Sequence, residues 1–177
     1  MNKDIHLTGL GNGLVDIQFE ISEEDLNDIG LRKGEMLLAN AEKQKELLEK
    51  LSERVNHQCS GGSAANTIIA FSKFGGKAAY KTVLGNDIFG KFYAQEFKDL
   101  GIVLKAEFLI TDPTGTCVVL ITPDAERTMH TSLGATAKFT KDHLDEDIIA
   151  RSEWLYVEGY EFSTPNGAEA SLIATEM

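Results

Sequence analysis

Gly61 and Gly62 stand side by side ahead of Ser63-Ala64-Ala65-Asn66, and the chain runs on through Thr67-Ile68-Ile69-Ala70-Phe71-Ser72-Lys73-Phe74 to a second pair, Gly75 and Gly76. Two adjacent residues without a Cβ permit close backbone approach to a ligand. Ser63 is a capping residue type, and Ala64, Ile68, Phe71 and Phe74 recur at helical spacing. The spacing predicts a helix that starts at Ser63 and faces a ligand with its first N–H groups and the Asn66 amide, donors suited to sugar hydroxyls or an anion. An ordinary loop feeding a buried helix fits the same residues, so both readings stand until the neighbours are considered.

The chain has 177 residues, enough for one domain with a sizeable core and a small appendage. Its 42% hydrophobic and 25% charged content is that of a globular protein. No run of about 18 apolar residues is present, and no signal-peptide core follows Met1, which points to a cytoplasmic protein. A formal charge of −11, from 28 acidic and 17 basic residues without a Lys/Arg block, argues against nucleic acid and anionic membrane as partners. Phosphate chemistry would need a local positive group, and Arg127, Lys91 and helix N-termini are the candidates. Cys59 and Cys117 form no CxxC pair, and His6, His57, His130 and His143 lack metal-ligand spacing, so neither a disulfide framework nor a protein-held metal is expected.

Ile5 to Leu10 reads as a first strand. The following Gly9-Leu10-Gly11-Asn12-Gly13-Leu14 has leucine where a dinucleotide fingerprint needs its third glycine, and Asp16 to Ile21 alternates like a half-exposed strand instead of opening a helix. Asn12 and Asp16 thus fall at the end of strand one, where α/β sheets place ligand contacts. One carboxylate there can accept from two vicinal hydroxyls; a plain turn aspartate is the alternative. Ser22-Glu23-Glu24-Asp25 starts a helix stopped by Gly30. Met36 to Ala39 is a short strand, Ala41 to Val55 an amphipathic helix, Ala78 to Leu84 a strand and Phe89 to Leu100 a helix. Gly85 to Phe92 matches the GxxxxGK of a phosphate loop. Phe92, however, replaces the Mg²⁺-holding hydroxyl, and Ile88 and Phe89 crowd the loop, so a tight turn at Asn86 and Asp87 is the better reading.

Val103 to Ile110 and Thr116 to Thr122 are β-like runs around the turn Thr111-Asp112-Pro113-Thr114-Gly115, and Arg127 to Thr131 is a further strand. Trp154 to Val157 reads as a buried strand, and Ser163-Thr164-Pro165 as a helix cap. The fold expected is an α/β sheet carrying a small β-rich outgrowth, with outgrowth strands near 17–21, 35–39, 103–110 and 116–131.

These residues resemble the PfkB (ribokinase-like) carbohydrate kinase family, more closely its adenosine kinase branch. The likeness lies in Gly11-Asn12 with Asp16, Gly61-Gly62-Ser63-Ala64-Ala65-Asn66, Gly85-Asn86-Asp87 with Phe89-Gly90, Pro113-Thr114-Gly115-Thr116-Cys117, and Arg127 followed by Leu133, in the family's order. The resemblance implies a ribokinase-like three-layer α/β/α sheet, incomplete in this chain, with a β-sheet lid. The implied activity is transfer of the γ-phosphate of ATP, with Mg²⁺, to a CH2OH of a sugar or nucleoside. By the same resemblance, Asn12 and Asp16 hold the hydroxyls while Gly61, Gly62 and Asn66 close around the ring. Met36, Leu38, Cys117, Met129 and Leu133 cover an apolar base or exclude water, and Arg127 meets the transferring phosphate. Tyr160 stacks on a base or is a core tyrosine. The family's terminal Asp-Thr-x-Gly-Ala-Gly-Asp segment, with its base and anion hole, has no counterpart, since Gly134-Ala135-Thr136 lacks the second glycine and the acid. The chain is therefore expected to be the N-terminal, acceptor-binding portion of a longer kinase, inactive by itself, with a homodimer through the lid edge open to it. A non-catalytic nucleoside- or sugar-binding module is the alternative, and an oxidoreductase built on Gly9, Gly11 and Gly13 a weaker third reading.

Overall fold

In the computed structural model, which describes residues 3–177, strand β1 (Ile5–Leu10) lies inside a four-stranded, all-parallel sheet of order β6-β5-β1-β9. Its partners are β5 (Ala78–Gly85), β6 (Val103–Leu109) and β9 (Ser152–Val157). Every residue of β5 is buried, as a strand covered on both faces requires. Alternation along β5 sorts its side chains into two layers. Ala78, Tyr80 and Leu84 join a core with Ile68 of α3 (Ser63–Lys73) and with Tyr93 and Phe97 of α4 (Ile88–Asp99). Ala79 and Val83 pack instead with Ile148 and Ile149 of α5 (Glu146–Ala150) and with Ala170 and Ala174 of α6 (Pro165–Glu176). This is a three-layer α/β/α arrangement.

After Gly11-Asn12-Gly13 the chain leaves that sheet and enters a second one, of order β3-β8-β7-β2-β4. β2 (Leu14–Glu20) runs parallel to β7 (Gly115–Ile121) and antiparallel to β4 (His57–Gly61); β8 (Arg127–Ser132) is antiparallel to β7 and parallel to β3 (Met36–Leu38). One face of this sheet carries Val15, Ile17, Phe19, Val118 and Leu120 into a core shared with Leu26 of α1 (Glu23–Ile29), Leu47 of α2 (Ala41–Lys50), and α3 and α4. Gln44 of α2 is buried against this face. Its Nε2 donates to the Thr116 hydroxyl at 2.9 Å, and its Oε1 meets His130 Nδ1 at 2.6 Å, so His130 is a satisfied core histidine. No helix among the described residues is long and apolar enough to cross a membrane.

Several elements differ from what the sequence suggests. Val103–Leu109 is not an outgrowth strand: it pairs in parallel with β5 over seven residues, and the turn after it hands the chain from one sheet to the other instead of closing a hairpin. His57–Gly61, which has no strand signal of its own, becomes the edge strand β4 by pairing with β2. Ser63 does not cap α3. Gly62, at φ 100°, holds the cap position, and Ser63 is the first helical residue. Phe74 is 92% exposed, because the helix has ended and turned away from the core. α2 stops at Lys50, well short of Val55. Trp154 is 72% exposed because β9 is the outer strand of its sheet.

Tyr93 and Phe97 stack at 4.6 Å between centroids, and Tyr80 lies 5.4 Å from Phe97, all fully buried. Phe97→Ala is expected to cost about 3–5 kcal/mol, measured as a shift of the urea unfolding midpoint at unchanged slope.

Candidate functional site

Strand alternation fixes which residues share the second sheet's other face. Along β2, Leu14, Asp16, Gln18 and Glu20 point away from the core. In register with Asp16 lie Cys59 on one side and Cys117 on the other, followed by Thr131 and Leu38. The next row brings together Gln18, Met129 and Met36, and the one beyond it places Arg127 across from Ile121. Leu14 faces Gly61 and Gly115, and the Leu133 backbone oxygen presses on Gly115. Asp16, Gly61, Met36, Leu38, Cys117, Met129 and Arg127 therefore share one face, with Leu133 at its border.

Asp16 is half-buried, and no described residue donates a hydrogen bond to its carboxylate. Burial pushes its pKa up, opposed by the positive charge of Arg127. A side chain at Gly61 would collide with this carboxylate, so glycine is what lets Asp16 lie over the β4 backbone. Burial also raises the Cys59 and Cys117 thiols, Cys117 to about 11, so neither is a ready nucleophile. Arg127 is exposed at the head of β8 and makes no ion pair among the described residues.

Asn12 is buried, and its surroundings hold it tightly. Its backbone N–H and its Nδ2 both donate to Glu158 Oε1, at 2.7 and 2.5 Å, and its carbonyl oxygen accepts from the Tyr80 hydroxyl at 3.1 Å. A Cβ at Gly62 would strike that same carbonyl oxygen. Glu158 Oε2 accepts from the Ser63 hydroxyl at 2.6 Å and from the Ala64 N–H at 2.8 Å, which places a carboxylate on the first turn of α3. The structure thus brings Asn12, Asp16, Gly61 and Gly62 into direct neighbourhood. Asn66 lies one turn further along α3, exposed, its N–H bonded to the Gly62 carbonyl. Tyr160, 55% exposed on the turn after Glu158, is not a core tyrosine.

Sequence reasoning missed Glu158. An acid just past an apolar strand that neighbours β1 was the available signal, since ligand contacts gather at strand carboxyl ends. Glu161 was missed too. It is 4% exposed, its Oε1 has no partner, and burial together with the Glu158 charge raises it to about 7. The Gly85–Phe92 turn is structural. Asp87 caps α4 at Gly90 N and accepts from the Thr114 N–H and hydroxyl at 2.8 and 2.7 Å. Burial acts to raise Asp87, but these hydrogen bonds outweigh it and hold the carboxyl below its usual range. A groove of about 700 Å³ between α2 and the start of α4 reaches Thr116 and Ser132, on the sheet face opposite Asp16. Among the described residues, no group of three or more His, Cys, Asp or Glu is placed to hold a metal ion.

This is the fold of the ribokinase-like α/β kinases. A probable sugar kinase from Rhizobium etli superposes with a TM-score of 0.88 at 29% identity, over 99% of this chain and 53% of its own. Adenosine kinase from Sinorhizobium meliloti gives 0.88 and 29%, over 97% of this chain and 52% of its own. Among curated relatives, adenosine kinase of Saccharomyces cerevisiae is 29% identical over 94% of this chain and 51% of its own length, and guanosine-inosine kinase of Escherichia coli is 24% identical over 87% and 37%. Residues 36–176 match the model of the pfkB family carbohydrate kinases, and the chain belongs to that family. It spans about half the length, or less, of these curated relatives.

Glu161 gives the fold a pH dependence. Unfolded, its carboxyl ionises near the ordinary 4.5; folded, it keeps its proton up to about 7. Its contribution to stability is complete below the lower value, declines as pH rises between the two, and levels off above the higher, a loss of about 3 kcal/mol. Glu161→Gln is expected to lose less stability than the wild type between pH 5 and pH 8, measured by urea unfolding at each pH.

Proposed function

We propose that this chain is the acceptor-binding part of an ATP-dependent kinase that phosphorylates a CH2OH group of a nucleoside or sugar. The observation carrying the proposal is Asp16, a half-buried carboxylate with no donor among the described residues, laid over Gly61 in a chain of the pfkB family. Water-shielded oxygens in that position favour two hydroxyl donors on adjacent ring carbons. Asn12 Oδ1 and the backbone at Gly61 and Gly62 complete the ring contact, with Asn66 closing from α3. Met36, Leu38, Met129, Cys117 and Leu133 are sized for a flat apolar base and keep water from the acceptor hydroxyl. Tyr160 stacks on the same base. A nucleoside is favoured over a free sugar, because adenosine and guanosine-inosine kinases are among the relatives.

Arg127, without an ion pair among the described residues and on the Asp16 face, is assigned to the transferring phosphate, whose spreading charge a guanidinium fork stabilises. ATP with Mg²⁺ supplies the phosphoryl group. The Gly85–Phe92 turn is not assigned to its site. Asp87 is committed to α4 and Thr114, and the Gly85–Phe92 turn offers no phosphate cradle. Nucleotide binding and removal of the acceptor proton are therefore assigned to sequence that these 177 residues do not contain. The same reading makes the protein cytoplasmic and permits a homodimer through a free edge, β3 or β4, of the five-stranded sheet.

The test is ligand-observed NMR of the chain with adenosine, inosine, ribose and fructose. Binding of at least one is expected, with Asp16→Ala weakening it about tenfold or more, some 1.4 kcal/mol, and no turnover on addition of MgATP. Absence of binding across the panel, or an Asp16→Ala variant that binds as the wild type does, would overturn the reading.

A further inference from the structure

Two acids flank the Asn12 turn, Glu158 just past β9 of the parallel sheet and Asp16 within β2 of the mixed one, and their hydrogen bonding is opposite. Asp16 receives no donor from the described residues, whereas Glu158 receives four: Asn12 N–H and Nδ2 at one oxygen, Ser63 Oγ–H and Ala64 N–H at the other. A carboxylate has about four lone-pair sites. Glu158 is filled, and it is only 2% exposed. Building on the acceptor-site reading above, we infer that Glu158 is a positioning residue of that site: it locks the Asn12 turn to the first turn of α3 and touches neither acceptor nor transferred proton.

The surroundings are built for that bond. A Cβ at Gly11 would meet Glu158 Cδ at 2.7 Å and Ala64 Cβ at 2.8 Å, so glycine at 11 is the condition for the carboxylate to reach both segments. The carboxylate turns the Asn12 amide so that Nδ2 points at Glu158, which leaves Oδ1 as the group available to a ligand. Gly62, pressed on the Asn12 carbonyl, carries this setting into Gly61, the residue beneath Asp16. Glu158 therefore acts through the relative placement of two segments separated by some fifty residues of sequence. As general base or direct ligand it would first have to give up one of its four bonds, leaving a buried donor unsatisfied.

Glu158→Gln tests this, since an amide nitrogen in place of one oxygen sets donor against donor at Asn12 or at Ala64. Two readouts are taken on the full chain beside Ile148→Val, a conservative core change on the other side of the parallel sheet that serves as the stability control. The first is amide hydrogen exchange at Asn12 and Ala64, which needs no ligand. The second is the dissociation constant for adenosine. Glu158→Gln is expected to lose at least tenfold in exchange protection at both amides and to weaken adenosine at least tenfold, while Ile148→Val leaves the affinity within twofold. Unchanged protection, or adenosine affinity within twofold of the wild type, overturns the inference. If Glu158→Gln does not fold, Ser63→Ala, which removes one of the four donors, is expected to weaken adenosine about threefold, and an unchanged constant overturns the inference instead. A wild type that binds no acceptor removes the acceptor-site reading and with it the positioning role, while exchange at Asn12 and Ala64 separately decides whether the lock exists.

Discussion

The turn Gly11-Asn12-Gly13 has to carry the chain out of a parallel sheet and into a mixed one while its polar backbone is buried. Buried amides and carbonyls must be paired, and here the partners come from far away in sequence. Glu158 takes the Asn12 N–H, Tyr80 gives its hydroxyl to the Asn12 carbonyl, and Thr136 Oγ1 takes the Gly13 N–H at 3.3 Å. The turn after β9, β5 and the segment after β8 each contribute one group, so the turn has its full set of partners only once β5 and β9 have joined β1. The candidate site inherits its geometry from this dependence, because Asp16 lies four residues beyond Asn12 and rests on Gly61, whose neighbour Gly62 abuts the Asn12 carbonyl.

Three buried or half-buried acids sit in this part of the molecule, and each has a different environment. Glu158 is surrounded by donors and fixed. Asp16 is shielded but has no donor, with Arg127 as the nearest influence favouring its charged form. Glu161 is buried beside Glu158 without a partner for one oxygen and keeps its proton to about 7. Hydrogen bonding saturates Glu158, while burial raises Asp16 and, together with the Glu158 charge, Glu161; these differences come from surroundings and not from residue type, which is why composition alone says nothing about which acid meets a ligand.

Much of this was legible. The alternation of strand and helix, the helix after Gly62 and the β-rich outgrowth all follow from periodicity and turn chemistry, and the short glycine-containing motifs fall where the two sheets meet. What escaped was pairing. β4 has no β-branched residue in His57-Gln58-Cys59-Ser60-Gly61, and its strand character comes from β2. β6 is followed by a Pro-Gly turn that looks like a hairpin, whereas its hydrogen bonds go sideways to β5. Glu158 contacts Asn12 across 146 positions, a relation no local pattern encodes. Ser63 has the residue type of a cap, but Gly62 takes the cap because only glycine suits φ 100° against the Asn12 carbonyl.

The backbone passes between the two sheets four times: from β1 to β2, from β4 into α3, from β6 to β7, and out of β8. Each passage is pinned to another: Asn12 and the start of α3 through Glu158, Thr114 to Gly85 and Asp87, and Ala135 to the Pro113 carbonyl at 2.7 Å. The five-stranded sheet is thus fastened to the parallel sheet along one border, and the core it shares with α3 and α4 holds its inner face as well. Asn12, Gly61 and Gly62 lie at that border, whereas Met36 belongs to the outer strand β3, so a single face runs from a fastened rim to an unpaired edge.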